Sequence, residues 1–435
     1  MNNFQTILTA VFLAFFVFAV LIFSGLLKIG GSSTASTTPV GKIVIWGTFT
    51  NPELQTVFDT VAQANKDLTI TYVKKNPATY QQDLIEAFAS GTSPDIFIMT
   101  PDMVQKDQDF VYKVPYTSYS QKTFQDAFVD GSNVYLANDG IIAFPVVVDP
   151  LVMYYNKDIL ANSGISTPPT SWDQLFGLAS ILTKKQNDGT IQQSMIALGQ
   201  YDNISNAKDI LATLLLQNNN PIISQTSQGT YPAVLNGGVS SNGVTAADQI
   251  MNFFTEFSNP SDPSYSWNRS LPNSRDFFTE GKSAFYLGLA SELFTIQSVN
   301  PNLSFDVTSI PQTKGTLANR TYGNIYALAV SKKSANPTAA FELAGILSNG
   351  DTAKSFAQAV SLPPASRQAI ATKPTDPYLF TFFNQALITQ SWPDPDPIAT
   401  NGIFSELVNN ILSNKLSTDD AVNKAQSELQ LITKS

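Results

Sequence analysis

The chain has 435 residues, a formal net charge of -9, and neither cysteine nor histidine. The length exceeds what one hydrophobic core comfortably serves, so we expect two lobes or domains. The missing residues exclude disulfides, thiolate nucleophiles, cysteine-ligated zinc and catalysis by Ser-His or Cys-His pairs. The acidic balance argues against nucleic acid as a partner, whereas hydrolysis by a pair of carboxylates survives this test.

The first segment is predicted to be a membrane anchor. Residues 7–27 are uncharged and almost wholly apolar, which matches the roughly 20 residues that a helix needs to span a bilayer. A cleaved signal peptide has a shorter apolar region and an Ala-x-Ala-like site, so a retained anchor over residues 1–28 is favoured. A Gly/Ser/Thr tract then predicts a flexible linker over residues 29–41.

Strands and helices are predicted to alternate from residue 42 onward. Lys42–Trp46 and residues 68–73 are rich in β-forming residues, and residues 96–99 form a third apolar run. Apolar residues at helical spacing follow Pro52, and a second helical pattern begins at Tyr80. This βαβαβ order is typical of an α/β lobe with a largely parallel sheet.

The stretch "FPVVVDPLVMYYNKDIL", residues 144–160, predicts a strand with an unusual interruption. Pro150 cannot donate a ladder hydrogen bond, so a central strand has to end or change partners there. We expect this strand to leave one sheet and enter another. Helical patterns dominate the following part of the chain, over residues 171–185 and 246–257, with an irregular segment at 218–243.

Three places are candidates for a binding cleft from the residues alone. Ligand sites in α/β lobes form where loops leave the strands, which singles out the loop that starts at Trp46 and the region of Asp95. Trp392 lies in the polar, proline-rich loop "QSWPDPDP", where its ring is free to stack on a sugar. Trp46 and Trp392 are alternatively core residues, and Asp95 alternatively caps a turn. No spaced set of metal ligands is found, and we predict no metal and no cofactor.

Six short motifs occur in an order that is specific to one family. They are "ASGTSPDIFIM" (89–99), "VDPLVMYYNKDIL" (148–160), "PPTSWDQL" (168–175), "FFTEGKSAFYLG" (277–288), "FDVTSIPQ" (305–312) and "YGNIYALAVSKKSANPTAAFELAGIL" (322–347). On these residues the chain resembles the extracellular solute-binding proteins of ABC importers, family 1, the maltose/maltodextrin-binding-like group. The resemblance covers nearly all of residues 42–435.

The resemblance implies an α/β, two-lobed periplasmic-binding-protein fold, type II-like, with a strand-crossover hinge, which the N-terminal transmembrane helix precedes. Lobe 1 would comprise residues 42–148 and 277–348. Lobe 2, mostly helical, would comprise residues 149–276 and 349–435. The ligand would lie in the cleft between the lobes and favour closure through its higher affinity for the closed form.

The resemblance also implies which residues line the cleft, and implies no catalytic residue. Carried over by position, the ligand-binding residues are Trp46, Thr48, Asn51, Asp95, Asp149, Tyr154, Gly288 and Tyr322. We add Trp392 to this set because of its polar, proline-rich surroundings.

The expected function is that of a membrane-anchored, monomeric, non-enzymatic receptor on the extracytoplasmic side of the cell membrane. It would capture a small hydrophilic solute and deliver it to the permease subunits of an ABC transporter. A sugar or oligosaccharide is favoured over an anion because arginine, which an anionic ligand requires, is scarce. Two alternatives stay open: a glycosidase with a carboxylate pair such as Asp95 and Asp149, and a sensor or adhesion module without transport.

Overall fold

The computed structural model of the protein describes residues 41–50, 52–237, 243–316 and 318–433. The predicted anchor over residues 1–28, residues 29–40 of the predicted linker, and Asn51 lie outside these ranges. Within them, no helix combines the length and the apolar character that a membrane span needs.

The chain folds into alternating strands and helices. The strands are β1 (Gly41–Gly47), β2 (Leu68–Lys74), β3 (Ile96–Met99), β4 (Leu136–Ala137), β5 (Gly140–Ile141), β6 (Phe144–Asn156), β7 (Lys184–Lys185), β8 (Ile191–Ile196), β9 (Ser283–Leu289), β10 (Phe305–Thr308), β11 (Thr321–Val330) and β12 (Thr389–Gln390). The α-helices are α1 (Glu53–Ala64), α2 (Tyr80–Ser90), α3 (Val104–Asp107), α4 (Gln121–Ala127), α5 (Lys157–Asn162), α6 (Gln174–Leu182), α7 (Ala207–Gln217), α8 (Ala246–Glu256), α9 (Ser274–Thr279), α10 (Leu293–Val299), α11 (Pro337–Ser348), α12 (Gly350–Val360), α13 (Arg367–Ile370), α14 (Pro377–Leu387), α15 (Pro397–Leu412) and α16 (Thr418–Ile432).

The predicted parallel βαβαβ unit is confirmed at the beginning of the fold. β1 pairs in parallel with both β2 and β3, and α1 and α2 form the two connections. The apolar spacing of α1 buries Leu54, Val57, Phe58 and Val61 on one face, as the periodicity predicts. α2 ends where Gly91 adopts a left-handed conformation with φ of 75°, which glycine reaches without steric cost.

β6 joins the two halves of the main sheet. The order of neighbouring strands is β2-β1-β3-β11-β6-β9-β8-β7, with β10 also paired to β6 and β12 to β11. Residues 144–150 of β6 pair antiparallel with β11, whereas residues 151–155 pair antiparallel with β9. The strand therefore changes partners immediately after Pro150, as its missing backbone N–H predicts.

The halves of the sheet belong to two lobes. The first lobe contains β1–β3, residues 144–150 of β6, β11 and the helices α1, α2, α11 and α12. Ile45 and Phe356 lie in its buried core. The second lobe contains residues 151–156 of β6, β7–β9 and the helices α6, α7, α8, α15 and α16. Leu211, Phe254 and Trp267 lie in its core.

Parts of two segments lie with a different lobe from the one predicted. Residues 277–348 were expected in the first lobe, but β9 pairs with β8 and buries Phe285 in the second-lobe core. Residues 349–435 were expected in the second lobe, but α12 contacts α1. The chain instead returns to the first lobe at β11 and passes to the second lobe again after β12. The pairing of the strands locates these crossovers, and the order of the motifs does not.

Candidate functional site

We expect the gap between the lobes beside the loops at the carboxyl ends of β1 and β3 and beside the crossing of β6 with β11. Thr48 and Phe49 follow β1, and the ring of Phe49 lies 4.9 Å from the ring of Tyr326 in β11. Asp102 follows β3 in a short 3-10 turn, Pro101–Met103, and is partly buried. These positions agree with the rule that ligand sites form at the carboxyl ends of parallel strands.

Asp149 lies where β6 runs beside β11 between the lobes, and its contacts are with other parts of the protein. It pairs with Asn324 of β11 and is 1 % exposed. Its carboxylate accepts a hydrogen bond from the backbone N–H of Ser291 at 2.9 Å, which ties β6 to the turn after β9. Burial raises the pKa of Asp149 to about 6, although its bonds to Ser291 oppose that shift.

Asp209 is a hydrogen-bond acceptor beside a cavity of the second lobe. It stands in the first turn of α7 and lines a cavity of about 390 Å³, with Tyr201, Asn206 and Asn401 among the other lining residues. Burial, opposed by Lys208 and assisted by Glu292, raises the pKa of Asp209 to about 7. Among the described residues, no hydrogen bond or ion pair reaches its carboxylate.

The surrounding polar groups are held in place by one another. Lys208 donates to the carboxylate of Asp394 at 2.7 Å, and Thr400 donates to the same carboxylate. Tyr201 donates its hydroxyl hydrogen bond to Asn401 at 2.8 Å. Glu292 accepts from the hydroxyl of Tyr286 at 2.6 Å. Hydrogen bonds therefore hold the side chains of Tyr201 and Lys208 in position beside the cavity.

The charges of both lobes act on the tyrosines of β11. Burial, followed by the charges of Asp209 and Asp394, raises the pKa of Tyr322. Burial, followed by the charges of Asp149 and Asp102, raises the pKa of Tyr326. Both hydroxyls stay protonated at neutral pH; the hydroxyl of Tyr322 donates to Asn324, which leaves that of Tyr326 to donate to a ligand.

The loop after β1 follows the carboxyl end of that strand, and its place beside the gap stays a prediction. Trp46 is half-buried, and the ammonium of Lys75 lies 3.6 Å from its ring centroid, so a cation covers one face of the indole. Thr48 is partly buried next to it. Asn51 lies outside the described residues.

Asp95 lies away from the other predicted residues. It precedes the first residue of β3, at the amino end of the strand. Its carboxylate accepts hydrogen bonds from the N–H of Val44 at 2.9 Å and the hydroxyl of Ser334 at 2.6 Å. Both of its carboxylate oxygens are thus engaged within the first lobe, at the amino end of β3.

Tyr154 and Gly288 pack against each other behind the gap. Tyr154 is 0 % exposed and donates to the carbonyl of Leu289 at 2.8 Å. A Cβ on Gly288 would lie 2.5 Å from the ring of Tyr286 and 3.2 Å from that of Tyr154. Gly288 therefore allows two aromatic rings to meet in the core, and neither residue presents a free surface.

Tyr322 and Trp392 lie where the chain crosses between the lobes. Tyr322 donates its hydroxyl to Asn324 at 3.1 Å, beside Asp149. Trp392 is 2 % exposed and packs edge-on against Phe404 in the second-lobe core. The proline-rich loop around Trp392 is polar in sequence, but the indole points into the protein, which is the alternative given above for this residue.

Asp102, Asp209 and Tyr326 were absent from the sequence-based set. Asp102 follows the predicted third strand by three residues. The rule that ligand sites form at the carboxyl ends of parallel strands could therefore have identified it. Asp209 carries no such signal, because an acid in the first turn of a helix is ordinary. Its importance depends on Asn401 and Asp394, which are remote in sequence.

Comparisons with known proteins agree with this architecture. Residues 50–353 match the model of the family described as bacterial extracellular solute-binding protein. A galactooligosaccharide-binding protein of Bacillus subtilis (strain 168) is 22 % identical over 341 residues, which are 77 % of this chain and 75 % of the relative.

Solved structures give the same fold. The cyclic alpha-maltosyl-1,6-maltose binding protein from Arthrobacter globiformis superposes with a TM-score of 0.72 at 18 % identity, covering 90 % of this chain and 99 % of that one. The sugar-binding protein of Xanthomonas citri gives 0.71 at 16 % identity, with 90 % and 97 % covered. The chain belongs to the bacterial extracellular solute-binding protein family.

Proposed function

We propose that this protein captures a sugar or oligosaccharide in the gap between its lobes and delivers it to the permease of an ABC importer. The observation that carries the proposal is the carboxylate of Asp209, which lines a polar cavity of about 390 Å³ on the second lobe and takes no hydrogen bond or ion pair from the described residues. The names of the relatives from Bacillus subtilis and Xanthomonas citri support a sugar as the ligand.

The groups around the gap suit the chemistry of a carbohydrate. Carboxyl groups such as those of Asp102 and Asp209 accept hydrogen bonds from hydroxyl groups. The hydroxyl of Tyr326 and the side chain of Asn401 can donate to ring and hydroxyl oxygens. Aromatic rings such as Phe49 offer an apolar face to the C–H groups of a sugar.

The geometry opposes a glycosidase that uses Asp95 and Asp149. The backbone carbonyl of Asp95 accepts a hydrogen bond from the N–H of Ser331, the residue after β11, whereas Asp149 pairs with Asn324. The positions 324 and 331 are roughly 23 Å apart along a strand, at about 3.3 Å per residue. A glycosidase needs its two carboxyl groups about 5–10 Å apart, so we propose a binding protein without catalysis.

The proposal includes attachment to the membrane through residues 1–28, with the two lobes on the extracytoplasmic side. Its alternative is a sensor or adhesion module that binds the same ligand without transport. Transport predicts that deletion of the gene abolishes uptake of the radiolabelled sugar. Uptake that is unchanged by the deletion, together with intact binding, would favour the sensor.

A ligand screen tests the proposal most economically. A ligand that binds only the folded state must raise the melting temperature. We expect oligosaccharides to raise it, and amino acids, polyamines and inorganic anions to leave it unchanged. A shift with amino acids alone, or release of reducing ends from a glycan, would contradict the proposed function.

A further inference from the structure

Direct polar contacts join the two lobes on one side of the gap. The ammonium of Lys106 in α3 lies 3.1 Å from the carboxylate of Asp396. The neighbouring Gln105 donates to the carbonyl of Pro393 at 2.5 Å. α3 follows β3 in the first lobe, whereas Asp396 precedes α15 of the second lobe, so both contacts bridge the lobes.

A second bridge connects the β4–β5 hairpin with a loop of the second lobe. The side-chain amide of Asn138 donates to the carbonyls of Thr226 and Ser227, at 3.1 and 2.6 Å. The two segments belong to different hydrophobic cores. Ala137, next to Asn138, packs in the first lobe, whereas Tyr231, five residues after Thr226, packs in the second.

Each partner is anchored in its own lobe, so that the bridges depend on how the lobes are arranged. Val104, at the start of α3, is 0 % exposed in the first-lobe core. Asp396 accepts the backbone N–H groups of Ile398 and Ala399 and thereby caps α15. Because α15 packs against α8 and α16, Asp396 moves with the second lobe, and a rotation of the lobes would separate it from Lys106.

We propose that Lys106 with Asp396, and Asn138 with residues 226–227, form an interlobe clasp that sets the affinity of the gap for its ligand and makes that affinity depend on salt. The proposal rests on the proposed function, in that the ligand favours the closed arrangement. Contacts that exist only in that arrangement raise the affinity without touching the ligand, because they raise the fraction of binding-competent molecules.

The exposure of the ion pair explains the expected salt dependence. The side chains of Lys106 and Asp396 are 38 % and 39 % exposed, so water and ions reach both. Solvent-exposed ion pairs are weak and screened, which predicts an effect of about twofold to fivefold on affinity. Raising NaCl from about 10 mM to about 1 M shortens the Debye length from about 30 to about 3 Å and should remove that contribution.

The variants for the test isolate the charge of the clasp. Lys106→Gln removes the ammonium, and Asp396→Asn removes the negative charge but keeps an acceptor at the start of α15, where asparagine caps well. The matched control is Lys122→Gln, which removes an exposed ion pair with Asp126 inside one helix of the first lobe. The double variant Lys106→Gln/Asp396→Asn closes a mutant cycle.

The first readout needs no ligand and is therefore independent of the proposed function. The natural chain has no cysteine, so Lys66→Cys and Ser180→Cys place dyes only on exposed positions of the first and second lobes. We expect salt or Lys106→Gln to lengthen the interlobe distance and the radius of gyration from X-ray scattering. Lys122→Gln should behave like the parent protein. Equal values and equal salt responses for the parent and Lys106→Gln would overturn the clasp.

The second readout is affinity in the full-length chain, with maltotetraose and galactotriose as the probes. At low salt we expect Lys106→Gln to weaken binding about twofold to fivefold, mainly through faster dissociation, and at high salt to match the parent. If the effects of Lys106→Gln and Asp396→Asn on affinity are not additive in the double variant, the interaction between the two residues is supported. Full additivity of the two effects would overturn it. If neither sugar binds, the proposed function fails on these ligands, whereas the interlobe distances still decide the clasp.

Discussion

Gly323 in β11 lies against the backbone of β6, such that a Cβ at position 323 would stand 2.7 Å from the carbonyl oxygen of Asp149. The same Cβ would lie 2.9 Å from the Cα of Pro150, the residue with which Gly323 pairs. The two strands that pass between the lobes therefore meet at a point where only a hydrogen atom fits.

Replacing that glycine should damage the crossing. Gly323→Ala is expected to lower the free energy of unfolding by about 1–3 kcal/mol, because the backbone of β6 has to shift. The control is Gly177→Ala in the interior of α6, where an added Cβ meets nothing within 4 Å and should stabilise by about 0.5–1 kcal/mol. Urea unfolding measures both, and similar effects for the two variants would contradict the close approach.

Trp392 is expected to contribute to stability rather than to ligand contact. Truncating a buried aromatic side chain costs about 3–5 kcal/mol, and Trp392 is 2 % exposed. Trp392→Ala should therefore lower the melting temperature of the unliganded protein strongly, and Trp392→Phe much less. If Trp392→Ala melts like the parent but no longer binds sugar, the indole is a ligand contact after all.

Tyr154 should also act through the core. Tyr154→Phe leaves the carbonyl of Leu289 without the hydroxyl that donates to it at 2.8 Å, which is expected to cost about 1–3 kcal/mol. Tyr112→Phe is the control, because Tyr112 is 39 % exposed. Chemical denaturation measures the stabilities, and calorimetry should give unchanged sugar affinity for both. A large loss of affinity in Tyr154→Phe alone would return this residue to the binding site.

The buried acids predict how stability changes with pH. Burial raises the pKa of Asp149 to about 6 and that of Asp209 to about 7, above their ordinary value of 3.8. The folded state then binds more protons than the unfolded state between pH 4 and 7, so the free energy of unfolding falls as the pH rises through this window. Asp209→Asn should flatten the dependence and stabilise the protein at pH 8 by about 1–2 kcal/mol. An unchanged pH profile would contradict the assignment.

The sequence predicted the order of elements well because local patterns determine it. The stripe of α1 and the missing N–H of Pro150 are visible in the chain itself. Asp95 shows the limit of prediction from local patterns. The sequence predicts the strand at residues 96–99, but Asp95 lies at its amino end, whereas ligand sites form at the carboxyl ends of parallel strands. Trp392 shows another, since the polarity of neighbouring residues does not reveal that Phe404 packs on the indole. Asp209 required Asn401 and Asp394 to come together through tertiary folding.

We propose that the gap binds a sugar through the carboxyl groups of Asp102 and Asp209, one on each lobe. Isothermal titration calorimetry of the full-length chain in detergent, with a panel of oligosaccharides, tests it most directly. We predict saturable one-to-one binding of at least one oligosaccharide. At pH 8, above the pKa of about 7 that burial gives Asp209, the affinity of Asp209→Asn should fall about tenfold or more, since hydrogen bonds to charged groups contribute about 1.5–3 kcal/mol. The affinity of Asp102→Asn should fall as well. Saturable binding that both variants retain at the affinity of the parent would contradict the account.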